Sequence, residues 1–438
     1  MEKGIVIRTV NKSVYILGDF APGALLESAS GAKLLVVSRR RELQPEYLEV
    51  LRLAERIDEE PRSISTVKAL LVGGEPPEPG EAVKPYEWPS SGRGIFSPEG
   101  EVDLMKYSVS PHLSVIGMTG AGKTTLVKLL LEQAARKKLN VVVFDVHGEY
   151  SELAQRFGGV AGPPKIPLCE LSDQELLAVT GLLRVQSPIR MMRYLRFFVR
   201  AFCALTKKIE IRDLPAALQR AADAMIMLDS VNPSVKTLDG RDSIMAEFVN
   251  TLKEEIGGTM YNSLKEMARK DEERMAAAMM YLLWAASVMQ MELYEGGRPP
   301  FYVINMFESK ELFMTSDVMM GTLSYIIRKL VEMREEAVLV IEEAAKLMED
   351  ETMARIIYMA LAQMRKFGII VILISQKPGD YIANTRIIAG RVQNVAWARE
   401  LASLAPQMPG EVARLLPQLS RGQFVYIDGD VVPLRVVI

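Results

Sequence analysis

The chain has very few of the residues that build zinc sites, disulfide frameworks and histidine-dependent active sites. Its 438 residues include two cysteines, Cys169 and Cys203, and two histidines, His112 and His147. Two cysteines allow at most one disulfide, and no Cys/His spacing resembles a zinc site. Little in the sequence therefore supports a metalloprotease, a cysteine protease or a Ser-His-Asp hydrolase. The scarcity of cysteine favours a reducing compartment, and we expect a cytoplasmic protein.

An excess of either charge is also missing. The chain has 53 Lys and Arg against 55 Asp and Glu, which gives a net charge of −2. This balance argues against a protein that coats nucleic acid with its whole surface. It does not exclude a local basic channel, because net charge says nothing about how the charges are distributed.

Long apolar runs are absent as well. The longest mainly apolar stretches, 276–289 and 369–374, are shorter than the roughly 20 helical residues that span a bilayer. The start, MEKGIVIRTVNK, lacks the apolar core and cleavage site of a signal peptide. We therefore expect a soluble protein with no membrane partner. Since 49% of the residues are apolar, the chain can bury a large core, and its length suggests two to four domains.

Short β-type runs separated by turn residues characterise residues 1–85. They predict a small β-barrel or sandwich, with one helix near Pro45–Arg56. The next stretch, Gly73–Arg93, is dense in Gly, Pro and Glu, and predicts a linker or long surface loop at a domain boundary. The β-type runs are Gly4–Val10, Ser13–Leu17, Lys33–Val37 and Thr66–Val72.

Apolar strands alternate with helical patterns in residues 86–169 and 299–438. Such strands are typical of a parallel sheet that is covered on both faces. The intervening residues 170–298 have helical periodicity without a strand pattern, and predict a helical insertion. The predicted strands are Leu113–Ile116, Val141–Phe144, Tyr302–Asn305, Ala337–Ile341 and Ile369–Ile374, with a helix at Lys123–Lys138.

Residues 117–124 read GMTGAGKT and match the phosphate-loop pattern G-x-x-x-x-G-K-[ST] in full. The match follows a predicted strand and opens a predicted helix, which is the context that a phosphate loop needs. Lys123 is expected to reach the β- and γ-phosphates and Thr124 to offer its hydroxyl to Mg²⁺, so ATP and Mg²⁺ are the expected ligands. The candidate nucleotide-binding residues are Gly117, Thr119, Gly120, Ala121, Gly122, Lys123, Thr124 and Thr125.

Two acidic residues follow the apolar strand at 337–341. Glu342 is the candidate for holding Mg²⁺ through water. Glu343 is the candidate catalytic residue that polarises the attacking water, because a glutamate at this second position is typical of hydrolysing motors. The next strand ends at Gln376, the candidate γ-phosphate sensor.

Two further strands separate the phosphate loop from the acidic pair along the chain. This gap predicts an α/β fold with a RecA-like P-loop core of the ASCE type, in which one strand is inserted between the two nucleotide-binding strands. Asp145 and Glu149 follow the strand at 141–144, beside the phosphate loop, where they are candidates for orienting water or a coupling arginine; an ordinary turn is the alternative.

Two other classes of P-loop protein do not fit. Transporter-type ATPases carry an LSGGQ-like segment shortly before the acidic strand, whereas the segment LSRGQ at 419–423 lies far after it and predicts a turn. GTPases read the base with N-K-x-D after the phosphate loop, whereas Asn11-Lys12, the one Asn-Lys pair in the chain, precedes that loop.

Four segments together resemble the HerA branch of the HerA/FtsK ATPases. The tail LLPQLSRGQFVYIDGD is similar to that family's closing turn and strand, and the N-terminal β unit would correspond to its HAS-type barrel. The resemblance implies a hexameric ring that hydrolyses ATP between subunits and moves double-stranded DNA through its centre. It also implies a NurA-type nuclease partner in DNA end processing during recombinational repair. The four segments are PHLSVIGMTGAGKTT, VVVFDVHGEYS, VLVIEEAAKL and MRKFGIIVILISQKPGD.

The resemblance also implies an arginine that reaches into the neighbouring subunit's site. Arg365 in the segment MRKFG is the best match, and Arg386 and Arg391 are the alternatives. Such an arginine neutralises transition-state charge and can be worth about 10³-fold or more in rate.

A candidate DNA contact lies in the predicted insertion. Four arginines there fall within one arc of a predicted helix, and they would contact phosphates without reading sequence; a solvated or subunit-facing surface is the alternative. Two other functions stay open for the whole chain, a ring ATPase that moves or remodels protein and a scaffold that ATP switches between oligomeric states. The arginines are Arg190, Arg193, Arg196 and Arg200.

Overall fold

The residues that the computed structural model describes form two compact units. Unit 1 consists of the described residues within 1–143, 336–349 and 358–438, and unit 2 of those within 144–335 and 350–357. The predicted helix at Pro45–Arg56, and most of the predicted insertion with its four arginines, lie outside the described residues. The described ranges are 4–40, 65–89, 92–105, 111–162, 170–179, 301–305, 316–406 and 408–438.

Unit 1 begins with a closed antiparallel barrel, which confirms the predicted N-terminal β-barrel and excludes the sandwich. Alternate residues such as Val14 and Ile16 point into its apolar core, where both are fully buried. The strand order around the barrel is β1-β2-β5-β4-β3-β6. The strands are β1 (Gly4–Val10), β2 (Ser13–Leu17), β3 (Leu25–Ser28), β4 (Lys33–Arg40), β5 (Thr66–Gly73) and β6 (Ala82–Pro85).

The sixth strand corrects the linker predicted at Gly73–Arg93. Strand β6 pairs with β1 on one side and with β3 on the other, and it thereby closes the barrel. Within β6 only Val83 is buried. A strand with one buried side chain, flanked by Gly and Pro, has too little apolar alternation to be recognised from its sequence.

The remaining strands and helices include the five predicted strands and the predicted helix after the phosphate loop, together with further strands and helices. The strands are β7 (Gly94–Ser97), β8 (Gly100–Glu101), β9 (Leu113–Ile116), β10 (Asn140–Asp145), β11 (Val160–Gly162), β12 (Phe301–Asn305), β13 (Ala337–Ile341), β14 (Ile369–Ser375), β15 (Arg386–Ala389), β16 (Gln423–Asp428) and β17 (Asp430–Val437). The helices are α1 (Lys123–Arg136), α2 (Ser151–Arg156), α3 (Asp173–Val179), α4 (Ser316–Met333), α5 (Ala344–Leu347), α6 (Glu351–Met364), α7 (Val395–Ser403) and α8 (Pro409–Leu415).

The sheet of unit 1 is mixed, whereas the sequence predicts a parallel one. Its order is β10-β13-β14-β9-β15-β16-β17-β7-β8. Strands β13, β14, β9 and β15 run parallel to one another, and the strands from β16 to β8 continue the sheet in antiparallel fashion. The tight turn at Gly429, with φ of +79°, joins β16 directly to β17, and so short a connection permits only antiparallel pairing.

The strand order confirms the predicted inserted strand. Strand β14 lies between β9, which leads into the phosphate loop, and β13, which leads into the acidic pair. Every residue of β13 and β14 is buried, as expected for central strands. Because Ile116 pairs with Ser375 on one side and with Ala389 on the other, the residues that follow β9, β14 and β15 emerge at one edge of the sheet.

Unit 2 contains the parallel pair β11 and β12 and the packed helices α3 and α4. Arg328 on α4 donates hydrogen bonds to both carboxylate oxygens of the buried Glu175 on α3, at 2.7 and 2.9 Å. None of the helices in the described ranges is both long and apolar enough to cross a membrane.

Candidate nucleotide site

The phosphate loop is fixed by main-chain hydrogen bonds to both neighbouring strands. Gly117 N–H donates to the carbonyl of Ser375, at the end of β14, with a distance of 3.2 Å. Met118 N–H donates to the carbonyl of Arg391, just after β15, at 2.8 Å. The loop is therefore held between the ends of two strands by the backbone of the protein itself.

Glycine is required at two positions of the loop. Gly120 and Gly122 have φ values of +81° and +99°, a region in which other residues are strained. Helix α1 begins directly after Gly122, and it has neither a side-chain cap nor an acidic residue in its first turn. Since the first N–H groups of a helix have no acceptor within the helix, this end of α1 favours an anionic ligand.

The side chains of the loop fit a nucleotide polyphosphate with Mg²⁺. The Lys123 ammonium donates to the carbonyls of Gly117 and Met118, at 2.7 and 3.2 Å, and so lies against the loop backbone. Thr124 and Thr125 are half-buried in the first turn of α1. A cation, a hydroxyl and uncapped N–H groups in one turn are the set of donors and ligands that phosphate and Mg²⁺ require.

The acidic pair stands at the end of β13 in two different environments. Glu342 is only 3% exposed. Glu343 is half-buried and has the left-handed backbone φ of +51°, which is uncommon for a residue other than glycine. Backbone strain of this kind costs of order 1–3 kcal/mol and is concentrated at functional sites.

Gln376 connects the acidic pair to the phosphate loop. Its amide nitrogen donates to Oε1 of Glu343 at 3.4 Å, and its amide oxygen accepts from the hydroxyl of Thr119, also at 3.4 Å. Gln376 itself is exposed at the edge of the sheet. The structure thus brings together a loop residue and the residues predicted as catalytic base and sensor.

The predicted trans-acting arginine lies elsewhere. Arg365 is exposed in a short 3₁₀ turn, Arg365–Phe367, which precedes β14. The seven residues of β14 separate it from Gln376 by about 20 Å, so it cannot serve the site of its own subunit.

The two alternatives to Arg365 differ in exposure, because Arg386 is buried and Arg391 is exposed. Arg386 is 3% exposed and donates to the main-chain carbonyls of Leu104 and Pro111, at 3.2 and 3.0 Å. A buried arginine that satisfies main-chain carbonyls cannot reach another subunit, so this alternative is wrong. Arg391 is exposed beside the phosphate loop, and its Nε donates to the carbonyl of Pro417 at 3.3 Å.

Asp145 has a structural role, which favours the ordinary turn that the sequence left open as the alternative to orienting water. Its buried carboxylate accepts hydrogen bonds from four successive N–H groups, those of residues 147–150, at 2.8–3.2 Å. This arrangement fixes the turn between β10 and α2. In the sheet of unit 1, β14 and β13 lie between β9 and β10, so β10 is not the neighbour of the phosphate-loop strand.

Sequence reasoning missed one contact of the phosphate loop. The segment Leu419–Gln423 is a turn, as predicted, but it also touches the loop, because Gly422 N–H donates to the carbonyl of Ala121 at 3.1 Å. The one local signal of this turn is a glycine followed by a strand. That signal does not identify Ala121 of the phosphate loop as the residue that the turn contacts.

Comparison with known families identifies the segment that carries the loop. Residues 100–285 match the family model "Helicase HerA, central domain". This segment is similar to the HerA central domain. The match starts before β9 and includes the whole phosphate loop, so the loop described above lies inside the matched segment.

Among curated proteins, this chain resembles "Probable helicase MJ1565" of Methanocaldococcus jannaschii. The two are 34% identical over 76 residues, which is 17% of this chain and 15% of that protein.

Two solved structures are similar at a greater distance. The VirB4 structure of Thermoanaerobacter pseudethanolicus is 18% identical, with 80% of this chain and 97% of that chain covered and a TM-score of 0.43. The bacterial conjugative coupling protein TrwB is 15% identical, with 75% of this chain and 84% of that chain covered and a TM-score of 0.46.

Proposed function

We propose that the protein is an ATP-hydrolysing ring motor that moves along, or unwinds, double-stranded DNA. The observation that carries the ATPase part is the placement of Gln376 between Thr119 of the phosphate loop and Glu343. A hydrogen-bonded link between the loop and a carboxylate lets the presence of a γ-phosphate alter the position of the catalytic base.

Each residue of the site has a distinct role in this proposal. Lys123 and the first turn of α1 would bind the β- and γ-phosphates, and Thr124 and Glu342 would hold Mg²⁺. Mg²⁺, when bound, neutralises charge on the phosphate oxygens. Glu343 accepts a proton from a water molecule as the water oxygen bonds to the γ-phosphorus and the bond to the bridging oxygen breaks, which releases ADP and phosphate.

The DNA part of the proposal is supported by the HerA central domain and by the helicase named as its relative. We infer a homo-oligomeric ring, a hexamer by this resemblance, in which Arg365 acts on the neighbouring subunit's nucleotide. Arg365 lies far from the nucleotide site of its own subunit, as a residue that acts on the neighbouring subunit must. A NurA-type nuclease partner and a role in DNA end processing complete the proposal, and we place the protein in the cytoplasm.

ATPase assays with and without linear duplex DNA test the motor directly. We expect hydrolysis to require Mg²⁺, to be stimulated by duplex DNA, and to lose that stimulation as salt rises, because contacts to the DNA backbone depend on salt. If duplex DNA neither binds nor stimulates hydrolysis at low salt, the DNA motor is refuted. Hydrolysis without a DNA response would then favour a motor for protein or an ATP-switched scaffold.

Matched variants test the site. Lys123→Ala should abolish ATP binding, and Glu343→Gln should abolish turnover while ATP still binds. Lys128→Ala on the same helix and Glu349→Gln, whose carboxylate pairs with Lys377 at the surface, are the controls. Turnover in both site variants at the level of the controls would show that the site lies elsewhere.

The role of Arg365 is tested by mixing subunits. Neither Arg365→Ala nor Lys123→Ala subunits should hydrolyse ATP alone. In a mixed ring, a Lys123→Ala subunit can supply its intact Arg365 to the intact phosphate loop of a neighbouring Arg365→Ala subunit. Partial ATPase activity should therefore return. Mixtures as inactive as their components would exclude a trans role for Arg365.

A further inference from the structure

The turn that touches the phosphate loop is closed by the side chain of one residue, Gln423. Its Oε1 accepts from Ser420 N–H at 2.8 Å, and its own N–H donates to the Ser420 carbonyl at 3.1 Å. Gly422, which lies between Ser420 and Gln423 in the chain, has a φ of +78°. These bonds fix the direction of the Gly422 N–H.

The turn is a third anchor of the phosphate loop. Gly422 N–H donates to the Ala121 carbonyl at 3.1 Å, and the Gly422 carbonyl accepts from the N–H of Val436 on β17 at 2.9 Å. The contact is close, because a Cβ placed on Gly122 would lie 3.5 Å from the Gly422 nitrogen. The anchors at Ser375 and Arg391 hold the beginning of the loop, whereas this one holds the residue immediately before Gly122.

The same side chain also reaches the N-terminal barrel. Nε2 of Gln423 donates to the carbonyl of Gly23 at 3.2 Å. Gly23 lies between β2 and β3, and its N–H donates to the Val36 carbonyl on β4 at 2.8 Å. A Cβ on Gly23 would lie only 2.9 Å from Oε1 of Gln423, so the two segments are in direct contact.

We propose that Gln423 is a positioning residue that connects the barrel to the phosphate loop and holds the loop in its nucleotide-binding shape. The amide oxygen of Gln423 closes the turn that presents Gly422 to Ala121, and the amide nitrogen binds the barrel at Gly23. Displacement of the barrel segment at Gly23 would therefore change the affinity of the loop for nucleotide. This inference rests on the proposed ATPase function.

Two variants of Gln423 separate its two contacts. Gln423→Ala removes both, whereas Gln423→Glu keeps an acceptor for Ser420 N–H and removes the donor to Gly23. Gln418→Ala is the matched control, because Gln418 is an exposed neighbour whose Nε2 donates only to the Arg414 carbonyl in the described structure, at 2.7 Å.

Nucleotide affinity and steady-state kinetics give the decisive readouts. We expect the Kd of a fluorescent ADP analogue and the KM for ATP to rise about tenfold in Gln423→Ala and about threefold to fivefold in Gln423→Glu, which correspond to losing two or one hydrogen bonds of ordinary net strength. The kcat should change less than about twofold, because Gln423 touches no reacting atom. The control should match the wild type.

Three results would overturn the inference. They are a Kd in Gln423→Ala equal to that of the control, a Kd in Gln423→Glu equal to that of the wild type, or a loss confined to kcat. If Gln423→Ala does not fold, the Gln423→Glu variant alone decides. A wild-type protein that fails to bind the nucleotide would instead refute the proposed function itself, so the two failures are distinguishable.

Discussion

Acid should weaken the protein through the buried imidazole of His112, which immediately precedes β9. Nδ1 of His112 accepts from the N–H of Val371 in β14 at 3.0 Å, so Nε2 carries the proton and donates to the Leu361 carbonyl at 2.9 Å. A second proton on the ring would point directly at the Val371 N–H. The fold therefore binds the neutral imidazole.

The size of the effect follows from the pKa. The pKa of His112 is lowered from 6.5 to about 4, mainly by burial and in part by the positive charges of Arg386 and Arg365, against the opposing hydrogen bond to Leu361. Above pH 6.5 the imidazole is neutral in the folded and unfolded chains, and the full stability is present. As the pH falls from 6.5 towards 4, only the unfolded chain gains the proton, so stability falls by about 1.4 kcal/mol per pH unit and about 3 kcal/mol in total.

The composition of the chain makes the assay simple. With two histidines, ¹³C-histidine labelling gives two ring signals in an NMR spectrum, and His112→Gln assigns them. His147, which is exposed, gives the other signal. Urea unfolding between pH 7.5 and pH 4.5 should show that the pH-dependent loss is about 2.5 kcal/mol smaller in His112→Gln, which cannot titrate, than in the wild type.

Two outcomes would refute this reasoning. A His112 ring signal that titrates near pH 6.5 would show that the imidazole is accessible to solvent. Equal pH dependence of unfolding in the wild type and in His112→Gln would show that other groups account for the acid sensitivity.

Three further changes have definite expected outcomes. Asp145→Ala should lower the free energy of unfolding by about 4 kcal/mol, because four N–H groups lose their acceptor, and urea denaturation against the wild type measures it. Gly159→Ala places a Cβ 2.2 Å from the Phe301 carbonyl and should cost about 1–3 kcal/mol, whereas Gly162→Ala, which meets open space, should cost less than about 1 kcal/mol; equal melting temperatures would contradict this. Arg386→Met should cost about 2–3 kcal/mol by calorimetry, since two buried carbonyls lose their donor, and a neutral result would argue against the structural role of Arg386.

The sequence alone predicted the parts of the molecule that local chemistry controls. The pattern at 117–124 requires glycines at φ values that only glycine adopts easily, and it predicted the loop, the strand before it and helix α1. Strands β13 and β14 are continuous apolar runs that only a covered sheet can bury, so they too could be predicted within one residue of their ends.

Only the tertiary structure decided which distant residues meet. Gln376 connects Thr119 to Glu343 because the carboxyl ends of neighbouring parallel strands share one edge of the sheet. Gly422 supports Ala121 from about 300 positions away because β16 runs antiparallel and therefore begins at that same edge. Likewise, the sequence offers Arg365 as the best match for the trans-acting arginine and Arg386 as an alternative, and only the structure shows that Arg386 is buried while Arg365 is exposed. Burial depends on packing by residues far along the chain, and for that reason no local pattern records it.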